Sequence, residues 1–303
     1  MPCMIRTWAV GPLVTVTIAV TTPAAAAPAA ITSPSLNRAD LMRARFDGWT
    51  SEKPWGWRLT VPDGIEWSPW LPVAGNSEKI VETDTLSIVP LHVIRFDETH
   101  AALVTVSSPV DDDGQILCGH SCSHFIGVDF FTASGGLWRE TKRIDAAAWV
   151  ALFPSNNWVQ KWDGHGYIVS FTSGSCWGGA CTDAVVLLGL QPDRLLPLLG
   201  TSLNESNEGE AAAGSDEPCG DFLIPGWRPS RSERFDPALD CREAKGAWRL
   251  NGDQVVFTFH GQERKADSHG RLKPLASWMR EVTLALQGDK LVPVSGELPT
   301  FGF

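Results

Sequence analysis

Apolar positions fall along this chain in three patterns. Residues 8–20 form an almost unbroken apolar stretch, preceded by one positive charge at Arg6 and followed by alanines at 24–27. Residues 34–47 carry a helical pattern: Asn37 is placed to cap, Asp40 falls in the first turn, and Leu41, Met42 and Phe46 form an apolar stripe. From residue 86 onward the period shortens to alternation, in runs punctuated by turn residues. Runs 87–96 and 101–107 flank a turn at 97–100, and runs 125–131 and 137–141 flank Ser134-Gly135-Gly136. Runs 183–190 and 195–199 flank Gln191-Pro192-Asp193. Near the C-terminus, Asn251-Gly252 joins 247–250 to 254–260, a two-residue hairpin signal, and Gly288-Asp289 joins 278–286 to 290–294. Only 144–153 keeps a helical option among these hairpins, and 49–70, dense in Trp, Pro and Gly, reads as irregular structure or short strands. The pattern predicts an all-β protein, mainly antiparallel hairpins forming a meander, sandwich or barrel-like body, with one short N-terminal helix and long irregular Trp/Pro/Gly-rich segments.

The first apolar stretch is about thirteen residues long, short of the roughly 20 needed to span a bilayer. With its basic flank and small residues behind it, it reads as a signal peptide over 1–26, Pro28 disfavouring a cut after Ala27. Retention of this segment as an anchor is the alternative. No later stretch is apolar enough for a membrane span, so the expected location is periplasmic or secreted. Beyond the signal, 27–203 reads as the main β-rich domain. Residues 204–218, rich in acids and without bulky apolar side chains, read as an acidic loop or linker, and 219–303 as a C-terminal β-rich part able to pack on the same core.

Charge narrows the partners. The whole chain carries −10, and removing 1–26 takes away Arg6 and no acid, which leaves −11. Nucleic acid and anionic lipid both require basic surface, so neither is expected as a partner. A protein or glycan in the envelope or outside the cell fits the balance better.

Cysteine usage carries the next constraint. Cys3 departs with the signal, and Cys118, Cys122, Cys176, Cys181, Cys219 and Cys241 remain, an even number in an oxidising compartment, which favours disulfides. Cys176 and Cys181 bracket a small loop with paired glycines, between strands at 168–172 and 185–188. Cys219 and Cys241 bracket a Pro-rich excursion whose closure would stabilise by about 3 kcal/mol in the chain-entropy picture. Nearest-neighbour pairing is the expected connectivity. Cys118 and Cys122 belong to Cys118-Gly119-His120-Ser121-Cys122-Ser123-His124, which also admits a metal reading through His120 and His124. Alternate residues of a strand lie about 6.6 Å apart, so the segment must turn before more than two of these side chains can share an ion.

Other motifs are weaker. Gly119-His120-Ser121-Cys122-Ser123 resembles a nucleophile elbow but has serine in place of the last glycine, and no alternating strand–helix pattern surrounds it. Asp111-Asp112-Asp113-Gly114 lacks the spacing of a calcium loop and reads as a polar turn. Neither common phosphate-cradling glycine loop occurs, and no cofactor is expected. The tryptophans are the unusual feature: 14 against one tyrosine, five of them within 49–70. Trp49, Trp55, Trp57, Trp67 and Trp70 serve either as large core side chains or as a stacking surface. Trp55, Trp57, Trp67 and Trp70 are the candidate ligand-binding residues. The expected role is thus non-catalytic, a binding or structural function outside the cytosol, with carbohydrate binding by 49–70 and metal binding by 118–124 as the alternatives.

Overall fold

The computed structural model describes residues 31–57, 85–117, 123–151, 156–177, 180–206, 241–264 and 276–299. They form fourteen strands and one helix, an all-β architecture. The N-terminal elements are short: β1 (Thr32–Ser33), α1 (Arg38–Arg45) and β2 (Trp55–Trp57). A meander follows, beginning with β3 (Thr85–Arg95), β4 (His100–Val110), β5 (Ser123–Ser134) and β6 (Leu137–Ala151). These build the first sheet in the order β1-β6-β5-β4-β3-β2. The second sheet continues in sequence order through β7 (Asn156–Trp162), β8 (Gly166–Trp177), β9 (Ala180–Leu190), β10 (Leu195–Ser206), β11 (Cys241–Asn251), β12 (Gln254–Arg264), β13 (Ala276–Gln287) and β14 (Lys290–Ser295). Every pairing is antiparallel, and the second sheet curls into a half-barrel. Among the described residues no helix is long and apolar enough to cross a membrane.

The layers follow from which faces are apolar. Ala102, Val104 and Val106 of β4 point toward the second sheet and meet Val169 and Phe171 of β8 and Leu188 and Leu190 of β9. Leu103, on the opposite face of β4, lies beneath α1 with Leu41 and Met42. Residues 101–108 of β4 are therefore all buried, the pattern of a strand covered on both sides. β8 and β9 are covered twice as well, because Ile168, Val185 and Leu187 face into the curl with Phe257, Phe259 and Val282. Sheet one and the second sheet's β7–β9 edge form a sandwich, while the curl of β7–β14 encloses a second core.

The predicted turns at 97–100, 134–136, 191–193, 251–252 and 288–289 are all present and lie at one pole of the meander. Tyr167 Oη donates to Arg95 O at 3.4 Å, which shows that the turn-bearing ends of both sheets coincide. α1 forms as its cap predicts: Asn37 Oδ1 accepts from Ala39 N at 2.9 Å. The helical option at 144–153 is corrected, because β6 continues as a strand to Ala151, pairing Ala148–Ala151 with Ile126–Ser123. Its alanines serve packing between layers, Ala146 under α1 and Ala148 toward the second sheet, and the ladder with β5 overrides their helix preference.

Candidate functional site

α1 is followed directly by a wall of a cleft. Asp47 and Gly48 come from the helix exit, Lys53 from the following loop, Trp55, Gly56 and Trp57 from β2, Thr85 from the start of β3 and Asp112 from the turn after β4. The cleft volume is about 430 Å³, within the 300–1,000 Å³ range of small-ligand sites. It lies at the pole opposite the tight turns, at the β2 edge of the first sheet.

Its aromatic side is firmly held. Trp57 packs on Phe46 with ring centroids 5.3 Å apart, and its Nε1 has no hydrogen-bond partner among the described residues. Trp55 lies over Gly114: a Cβ at that glycine would sit 2.4 to 2.8 Å from three carbons of the indole. Gly114 also has φ +80°, which side-chain-bearing residues rarely adopt. The turn that presents it is self-contained, since Asp111 Oδ1 accepts from Asp113 N at 3.0 Å and from Gln115 N at 2.8 Å. The Asp111-Asp112-Asp113-Gly114 segment is thus a polar turn whose first carboxylate is spent on its own backbone, leaving Asp112 on the cleft.

Behind the cleft lies a buried ionic cluster. Arg45, the last residue of α1, turns inward with its side chain only 5% exposed. Its Nε lies 2.8 Å from Asp129 Oδ2 of β5, and Nη2 donates to Asp145 Oδ1 of β6. The Nε contact has ion-pair distance without hydrogen-bond alignment, and neither Arg45 Nε nor Asp129 Oδ1 has a hydrogen-bond partner among the described residues. Burial pushes the Asp129 carboxyl up to about 7, with Arg45 opposing the shift and Glu140 and Asp145 adding to it. One guanidinium therefore serves two carboxylates, and the cluster is neutral when Asp129 holds a proton. A second buried acid, Glu205 of β10, meets Arg242 of β11 at 2.5 Å. Burial raises its carboxyl despite that partner. In sequence Glu205 belongs to the acidic stretch read as solvated, yet it ends a strand with its side chain buried.

The remaining sequence candidates separate. Trp55 and Trp57 line the cleft, whereas Trp49 is buried, its Nε1 donating to Ile88 O at 3.0 Å. Trp67 and Trp70 lie outside the described residues, as do Cys118, Cys122, Cys219 and His120. His124 is buried between the sheets with Nδ1 2.7 Å from Ser108 Oγ, and burial lowers its pKa, which keeps the imidazole neutral. Among the described residues no three His, Cys, Asp or Glu side chains are placed to hold a metal ion. Cys176 of β8 lies directly opposite Cys181 of β9, and Cys241 opens β11. Sequence reasoning missed Gly114 as the seat of Trp55 and the whole Arg45 cluster. The first had a signal, a glycine closing a turn of three aspartates, and the second had none.

The fold and the site together define a class: an all-β sandwich and half-barrel drawn from one continuous meander, with an aromatic cleft beside its N-terminal helix. No family model, curated protein or solved structure matches this chain.

Proposed function

We propose that this is an exported, disulfide-stabilised binding protein, acting without catalysis in the envelope or extracellular space, and that the Trp55 cleft is where it takes its ligand. The observation that carries the reading is the cleft itself, where an indole held against backbone stands among three charged side chains open to solvent. Rigid aromatic surface beside a few polar groups is the usual composition of a small-ligand or peptide site. The partner is a glycan or a protein segment of comparable chemistry. A thermal-shift screen over sugars, amines and short peptides tests it. A true ligand at 100 times its Kd stabilises by about 2.7 kcal/mol, and Trp55→Ala should abolish that gain. A screen in which no response differs between the two proteins would overturn the assignment.

Export and disulfides are supported separately. The apolar leader with its alanine tract supports export. The register sets Cys176 of β8 opposite Cys181 of β9. Directly opposed residues of an antiparallel pair have Cα atoms roughly 4.5–5.5 Å apart, inside the window a disulfide needs. Mass mapping of the unreduced protein should recover a 176–181 bridge and an N-terminus near residue 27. Freely alkylatable thiols at Cys176 and Cys181 in the secreted protein would refute the crosslink.

A further inference from the structure

We propose that the cleft is a saccharide subsite in which a pyranose ring stacks on Trp55, with Asp47 and Asp112 accepting and Lys53 and Thr85 donating hydrogen bonds. The inference rests on the cleft being the ligand site and goes on to name the ligand's chemistry.

Two features point to a sugar rather than an ion or an apolar molecule. The platform comes first. Gly114 backs the indole of Trp55 so closely that any side chain there would dislodge the ring, and the turn carrying Gly114 is locked by Asp111. A ring clamped on one side loses little freedom when a ligand covers what remains open. The face of an indole is electron-rich, and the C–H groups on the flat side of a pyranose carry the complementary partial positive charge. The second feature is the mixture of polar groups. Each sugar hydroxyl is both donor and acceptor, so a saccharide site needs both kinds. Asp47 and Asp112 supply acceptors, while Lys53 and the Thr85 hydroxyl supply donors. An anion would face two carboxylates against one ammonium, and a compact cation would face Lys53.

The test uses the mature protein with cellohexaose, chitohexaose, xylohexaose, maltohexaose and soluble peptidoglycan glycan strands, read by calorimetry and tryptophan fluorescence. Choline and a lysine-rich peptide run as non-sugar arms. At least one glycan should bind saturably, and Trp55→Ala should weaken it tenfold or more. Trp55→Phe should weaken it less, because a smaller aromatic face remains. Gly114→Ala should weaken it as Trp55→Ala does, since it displaces the platform without deleting it. Should Gly114→Ala fail to fold, the two Trp55 variants decide alone. Trp158→Ala, removing an exposed indole on β7, should leave glycan binding unchanged. If choline or the peptide binds in a Trp55-dependent manner while every glycan is inert, the saccharide proposal falls and the cleft survives as a ligand site. If no probe depends on Trp55, both fall together.

Discussion

Arg45→Ala should destabilise the protein by about 3–5 kcal/mol near pH 8.5, the usual cost of removing one partner from a buried ion pair, and by clearly less near pH 5.5. The difference comes from Asp129. Its carboxyl titrates near 7 in the folded protein and near 3.9 when unfolded. Between those values the folded state holds a proton that the unfolded state has lost, so this group's contribution to stability falls as pH rises from about 4 to 7. Below pH 7 Arg45 faces one charged carboxylate, that of Asp145, so its loss removes one attraction. Above pH 7 it faces two, and its loss leaves the buried Asp129 carboxylate with only the more distant Arg143 to offset its charge. Asp129→Asn should flatten the pH dependence, and in the Arg45→Ala background it should recover much of the alkaline loss. Urea midpoints at the two pH values measure all of this. A loss under about 1 kcal/mol at both would show that the cluster does not hold α1 to the sheet. Since Arg45 is followed immediately by Phe46 and Asp47, the same variant should disturb the Trp57 contact and the cleft wall.

The second large effect belongs to the layer between the sheets. Phe171 of β8 is fully buried where the second sheet meets Val104, Ile126 and Val128 of the first. Phe171→Ala should cost about 3–5 kcal/mol, as full truncation of a buried aromatic commonly does. Trp158→Ala, on the neighbouring strand but 64% exposed, should change stability by about 0.5 kcal/mol or less. Both are read from denaturant midpoints at constant slope. Equal losses for the two would mean that the sheets do not pack through this layer.

Local chemistry accounts for much of the architecture. Asn37 caps α1 because its side chain satisfies an amide the helix itself cannot. Asn251-Gly252 and Gly288-Asp289 turn their hairpins because glycine reaches positive φ freely, +65° at Gly252 and +64° at Gly288. These features lie within a few residues of one another, so spacing alone reveals them. β7 was harder to see. Its seven residues include Asn156 and Asn157, and it exists as the edge partner of β8, with Asn157 Oδ1 2.5 Å from His92 Nε2 on the facing sheet. β6 likewise overran its alternating pattern, since its alanines suit a helix as well as a strand.

The candidate site divides along the same line. Composition named Trp55, Trp57, Trp67 and Trp70 as candidate ligand-binding residues but supplied no physical separation from Trp49. That separation came only when β2 paired with β3, leaving Trp49 beneath the sheet and Trp55 against Gly114.

The linear chain thus dictates its strand-and-turn grammar, its single capped helix and its acidic balance, because each depends on neighbours a few bonds away. Which faces are covered, which tryptophan meets solvent, and that Arg45 finds Asp129 and Asp145 were left to the folded arrangement. Those outcomes depend on strands far apart in the chain being brought into register, where burial, not sequence proximity, sets both the contacts and the charge state of the groups that make them.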